Sequence, residues 1–274
     1  MRIVDLVERP DLAEVAMRLG GIGDSGGDFT YQGAGYQMVN VDRYLRHWPR
    51  YFLVAIEGDT PIARALGVPV EFPAADREEL PDRGWDQAIQ WAAEDVMDGR
   101  TPTVLCGVEI VIAPHVRGNG LASVLVAALK TCAAKAGLRT VYGPVRPFGK
   151  EAEPDAPMAE YVTRRRPDGR LADRWLRTHE RLGARMIKVC PSSLTVTGSI
   201  AEWFDWTGVH LADGENLIPG AIAPVYASTR HDHGIYVEPN VWFEHPIRDG
   251  RDVCSPLDED RCATLYENGD SQLA

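Results

Sequence analysis

A chain of 274 residues with a net charge of −11 can bury one large core or two small ones, and that charge argues against a nucleic-acid or anionic-membrane surface, both of which want Lys and Arg patches. No apolar run reaches the roughly 18 residues that would cross a bilayer, and the N-terminal stretch carries charges where a secretory signal would be apolar, so a cytoplasmic protein is expected. Five cysteines (Cys106, Cys132, Cys190, Cys254, Cys262) show no C-x-x-C spacing; they read as reduced thiols, with no metal site expected.

Arg2 to Val7 reads as a strand, and Pro10 followed by residues 11–19 as a helix stopped at Gly20. Residues 20–35 are glycine-rich without an apolar period and read as a loop. Val41 to Trp48 is a short helix closed by Pro49. Residues 51–56 and 62–70 are strands joined by the turn residues Gly58, Asp59 and Pro61, and Arg64 is read as a strand charge facing water. After a polar stretch, Trp85, Ala88, Ile89, Ala92 and Val96 share one face of a helix over 84–97; Trp85 and Trp91 read as packing residues.

The next stretch is the most informative. Residues 107–112 form a short apolar run, as in a strand buried on both faces, and Pro114 ends it. Leu121, Val124, Leu125, Ala128 and Leu129 follow a helical period up to Gly137. Between them lies Arg117-Gly118-Asn119-Gly120. Two glycines allow a sharp turn and close approach to backbone amides, and the amides at a helix N-terminus favour an anion. A phosphate or pyrophosphate is therefore expected at Arg117 to Ala122. The dinucleotide pattern G-x-G-x-x-G fails at Ser123, and no P-loop Lys-Ser/Thr follows.

Residues 138–145 read as a further strand, weakened by Gly143-Pro144. A polar segment over 147–170 contains Arg164-Arg165-Arg166, read as a solvated basic turn. Residues 173–182 form a helix stopped by Gly183, and residues 185–189 and 194–197 form strands. Ser199-Ile200-Ala201-Glu202 is a capping box opening a short helix, and residues 234–243 read as a strand pair or one long strand bent at Pro239. His231 and His233 are read as a surface loop. From Ile247 the chain is polar and aperiodic.

Arg117-x-x-Gly120-x-Ala122 after a strand resembles the [RQ]-x-x-G-x-[GA] motif of the GNAT superfamily of acyl-CoA-dependent N-acyltransferases. His179-Glu180-Arg181-Leu182-Gly183-Ala184 is similar to that family's Y-E-x-L-G-F. The resemblance implies an α/β (α+β) fold with a mixed, mostly antiparallel sheet, flanking helices and strands splayed at the CoA site. It implies one domain over 1–246, with insertions at 71–100 and 147–172, an added part at 191–246 and a flexible tail at 247–274. The expected reaction is direct transfer of an acyl group, acetyl first among them, from acyl-CoA to a primary amine of a small molecule.

By the same resemblance, Arg117, Gly118, Asn119, Gly120, Leu121 and Ala122 would hold the CoA pyrophosphate. The backbone of Ile110, Val111 and Ile112 would face the pantetheine and oxyanion. Glu109, a charge inside an apolar strand, is the candidate base. His179, standing where the family carries a tyrosine, and after it Tyr142, are the candidate acids for the thiolate. Asp24, Asp28 and Tyr31 would hold the acceptor. Acetyl-CoA or another acyl-CoA is the co-substrate, with no metal, no nucleic acid and no membrane; a homodimer is compatible with this. The rival readings are transfer to a hydroxyl or a carrier-protein-linked substrate, and a CoA-binding module without catalysis.

Overall fold

The structure, a computed structural model, describes residues 1–19 and 28–247. Asp24 and residues 248–274 of the expected tail lie outside the described residues.

The strands are β1 (Arg2–Asp5), β2 (Phe52–Glu57), β3 (Thr60–Val70), β4 (Val104–Ile112), β5 (Thr140–Val145), β6 (Arg185–Gly198), β7 (Gly214–Asn216), β8 (Val225–Ser228) and β9 (His233–Pro246). The helices are α1 (Ala13–Met17), α2 (Ala34–Gln37), α3 (Val41–His47), α4 (Gly84–Asp98), α5 (Leu121–Lys135), α6 (Met158–Tyr161), α7 (Arg174–Arg181) and α8 (Ile200–Thr207). The sheet runs β1-β2-β3-β4-β5-β9-β8-β7, with β6 on the other edge of β9. Its pairings are antiparallel except β4 with β5. The mixed, mostly antiparallel sheet with flanking helices is the expected fold.

The parallel pairing is short. Leu105 faces Val141 and Cys106 faces Tyr142; beyond them β4 and β5 part, while β5 stays on β9 through Val145. This opening positions the site.

A bulge in β4 sets what faces the opening. Leu66 of β3 pairs with Glu109 and Gly67 pairs with Gly107, so Val108 is an extra residue. Alternate strand residues normally share a face, and one added residue shifts that phase. Val108 and Glu109 therefore lie on one face. Ile110 and Ile112 turn to the other, where they pack with Leu121, Leu125 and Leu129 of α5. The first face carries the larger core, with Trp85, Ala88 and Ile89 of α4 and Phe52, Leu66 and Val68 of the sheet. α7 lies on the α5 face: Val141 packs with α5, and Val145, four residues along the same strand, packs with Leu176.

Three elements differ from the periodicity. α1 is shorter than residues 11–19, because Arg64 takes the carbonyls of Ala16, Met17 and Leu19 that a longer helix would use. Residues 28–35, read as part of a loop, belong instead to a 3-10 turn (Asp28–Gln32) and the start of α2, anchored by Phe29 against Trp203 and Tyr236. Residues 185–198 form one strand whose register shifts between Cys190 and Leu194, where two strands were expected. Among the described residues no helix is long and apolar enough to cross a membrane.

Candidate active site

A cavity of about 690 Å³ fills the opening between β4 and β5 and reaches both faces of the sheet. Its walls include the strand Gly107–Ile112, the turn Arg117–Ser123, Tyr142 to Arg146, and residues of α7.

The turn is built as its glycines require. Gly118 and Gly120 have φ of +89° and +74°, a region side chains disfavour. The first amides to bond back into α5 are those of Ser123 and Val124, both to the Gly120 carbonyl. The amides just before them stand at a helix N-terminus, where no intrahelical carbonyl is available. Arg117 Nε donates to the Ile112 carbonyl at 3.0 Å, so the guanidinium folds against the strand end. Arg174, Arg177 and Arg181 of α7 line the same cavity. This end of the cavity suits an anion.

On the opposite face the chemistry gathers at Glu109, whose side chain is 14% exposed. Its Oε2 accepts from Arg64 Nε at 2.8 Å, and its Oε1 accepts from the Tyr36 hydroxyl at 3.2 Å. Arg64 does not face water: it is 1% exposed, and its Nη1 donates to the carbonyls of Ala16, Met17 and Leu19. A buried guanidinium needs partners for its donors, and Glu109 takes Nε while the end of α1 takes Nη1. Burial, followed by the Glu109 charge, pushes the Tyr36 hydroxyl well above the usual range, so it stays a donor.

Trp85 completes this wall and does more than pack. Its indole N–H donates to the Val108 carbonyl at 2.7 Å, pinning the bulged residue, and its ring stacks on Tyr36 at 5.7 Å. Its backbone N–H donates to Ser193 Oγ, which ties α4 to β6. Tyr31 lines the cavity and meets Tyr36 edge-on at 4.5 Å. Asp28 belongs to the turn beside Tyr31. Glu238, buried and paired with Arg146 at 2.9 Å, also lines the cavity.

On the α5 face, His179 and His245 are buried and bonded to each other, Nδ1 to Nε2, at 2.8 Å. Burial lowers His179 to about 3, with His245 adding to the effect, and burial lowers His245 to about 4. Both line the cavity. Tyr142 points to the other face, edge-on to Phe72, and its hydroxyl donates to Glu244 at 3.2 Å. Burial and then Glu244 push that hydroxyl up to about 12.

Of the residues singled out in the sequence, Tyr31, Glu109 to Ile112, Arg117, Gly118, Gly120 to Ala122, Tyr142 and His179 meet around one cavity. Asn119 lies in the same turn. Arg164, Arg165 and Arg166 each face an acid, Glu153, Glu180 and Asp168. His231 bonds Ser228, and among the described residues no group of three His, Cys, Asp or Glu is placed to hold a metal. Sequence reasoning missed Tyr36, Trp85 in its bonding role, Glu238 and His245. Arg64 carried a signal: a lone charge between Ile62-Ala63 and Ala65-Leu66 in a strand asks for a buried partner.

The chain is 33% identical over 235 residues to an arginine N-acetyltransferase, avaD, of Aspergillus versicolor, covering 78% of this chain and 77% of that one. Its fold is similar to that of the loading GNATL domain of CurA from Lyngbya majuscula, with a TM-score of 0.54 and 16% identity over 90% of this chain and 96% of that one. No protein-family model matches the chain.

Proposed function

Because the chain belongs to the GNAT superfamily of N-acyltransferases, we propose that it moves an acyl group, acetyl first among them, from acyl-CoA to a primary amine of a small cationic molecule of the arginine type. The observation that carries this reading is the β4 bulge. It turns one carboxylate, Glu109, toward one face of an opening whose other face ends in an anion-suited helix N-terminus.

The donor would lie along the α5 face. Amides from Gly118 to Ala122, with Arg117 beside them, would take the pyrophosphate. The backbone of Ile110 to Ile112, where β4 has lost its β5 partner, would take the pantetheine and offer N–H groups to the oxyanion. The acceptor would enter from the face of Tyr31, Tyr36 and Glu109. Aromatic faces and a carboxylate suit a flat cation. Glu109 would take the ammonium proton, directly or through water, since an ammonium has no lone pair for attack. Arg64 and Tyr36 hold that carboxylate in place. The C–S bond then breaks, the electron pair goes to sulfur, and His179, on the donor face, is the acid. Tyr142 is the weaker candidate, because its proton is held high and directed to Glu244.

The first test is titration of the protein with acetyl-CoA, longer acyl-CoAs and NAD as control. Assay of free CoA thiol with arginine, lysine and a simple alkyl amine follows. Saturable acyl-CoA binding and one CoA released per amine acylated is the expected result. A folded chain that binds no acyl-CoA would overturn the reading.

A further inference from the structure

We propose that His179 and His245 form a two-histidine proton relay, in which His245 of β9 replaces the proton that His179 gives to the departing CoA thiolate; this rests on the acyl-transfer reading above. The geometry is specific. His179 Nδ1 and His245 Nε2 are 2.8 Å apart, so one proton lies between them. The outer nitrogens, His179 Nε2 and His245 Nδ1, are buried without a hydrogen-bond partner among the described residues. His179 sits between Trp175, edge-on at 4.5 Å, and Phe243 at 5.4 Å, which fix its ring. Phe243 pairs with Gly143, at the level where β4 and β5 part. His245 pairs with Val141, one step further from the opening, and Lys130 of α5 is the cation that acts on it.

Burial lowers both rings far below neutrality, so at pH 7 the pair is neutral and shares its protons. A neutral imidazole cannot release Nε2–H and remain neutral unless a proton reaches its Nδ1. Only His245 stands at that nitrogen among the described residues. The step balances as follows. The C–S pair goes to sulfur and the His179 Nε2–H bond breaks as S–H forms. The shared proton moves from His245 Nε2 to His179 Nδ1, and His245 Nδ1 takes a proton from water. After products leave, water in the cavity that both rings line returns a proton to His179 Nε2, the shared proton moves back from His179 Nδ1 to His245 Nε2, and His245 Nδ1 gives its proton to water. The two neutral tautomer arrangements of the pair are the two ends of this cycle.

The test compares His245→Phe and His245→Gln with wild type, using acetyl-CoA and arginine, by single-turnover rate, acetyl-CoA affinity and thermal unfolding. Phe removes the bond. Gln keeps a donor toward His179 Nδ1 and so can preserve orientation, but it cannot pass a proton on. The relay predicts that both variants lose roughly 10²-fold in transfer rate while acetyl-CoA binds as in wild type. A Gln variant as fast as wild type beside a slow Phe variant would overturn the relay and leave His245 with orientation alone. Two unaffected variants would overturn any role in transfer. A wild type that binds acetyl-CoA but acylates no amine would overturn the function reading itself, a result distinct from either. Where Phe fails to fold, Gln carries the test.

Discussion

The two sides of the β4–β5 opening are built on different principles. The side proposed for the donor is local: a strand end, a glycine turn and the first turn of α5, contiguous from Ile110 to Ala122. Its geometry follows from positive φ at two glycines and from the unpaired amides of a helix start. The side proposed for the acceptor is assembled from Tyr36, Arg64, Trp85 and Glu109, which belong to four elements spread over 73 positions. No two of them are neighbours in the chain. The donor side can be read as a motif; the acceptor side exists only once the sheet has formed and α4 has docked on it.

That contrast can be broken by substitution, and the expected effects are unequal. Glu109→Gln keeps the shape and removes the proposed base; turnover should fall by about 10² to 10⁴-fold with acyl-CoA affinity kept. Equal loss of binding and turnover would show that Glu109 holds the strand instead. Gly120→Trp should do the reverse, since a bulky side chain at φ +74° strains the turn and shields its amides. Acyl-CoA affinity should fall by at least about 10²-fold, the size of a lost charge-assisted contact set of about 3 kcal/mol, measured by calorimetric titration. An unchanged titration would mean that the phosphate lies elsewhere.

Arg64→Met tests the non-local side for stability. It leaves Glu109 and three carbonyls without their donor, and removal of one partner from a buried pair costs about 3–5 kcal/mol. Urea unfolding should show that loss, and an intact midpoint would mean that water replaces the guanidinium. Trp85→Phe removes a single donor and leaves the Val108 carbonyl unpaired, for about 1–3 kcal/mol and a few-fold loss in turnover.

The smallest effect expected is at Asp86 of α4. Its Oδ2 accepts from Thr195 N–H, but its Oδ1 is buried without a partner among the described residues. Burial pushes its pKa up to about 6 from 3.8. The folded state therefore prefers the neutral acid. That stabilising contribution is full below the unfolded value and is lost as pH rises through about 6. Asp86→Asn should flatten the stability change between pH 5 and pH 7.5 in urea titrations. An unaltered slope would assign the pH dependence to other groups.

Local patterns carried far in this chain. The strand–turn–helix from Glu109 to Lys135, the helix at Gly84–Asp98 and the capping box at Ser199 all follow from period, glycine placement and cap chemistry. Family and fold class were legible because the phosphate-suited turn needs only its own residues. Three features were not legible, each for a physical reason. Arg64 looked solvated because strand periodicity gives a face, not a partner; the partner lies 45 positions away. Glu109 shares a face with Val108 through one extra residue in β4, and a bulge is defined only against the strand it pairs with. His245 owes its place beside His179 to registry, since pairing β9 with β5 sets it beside Val141 on the face that α7 covers. The sequence by itself determined the elements and the anion-suited turn, because backbone dihedrals and apolar periods are local. Tertiary structure alone decided which carboxylate, guanidinium and imidazoles share a cavity, because burial and charge pairing arise only between segments the fold brings together.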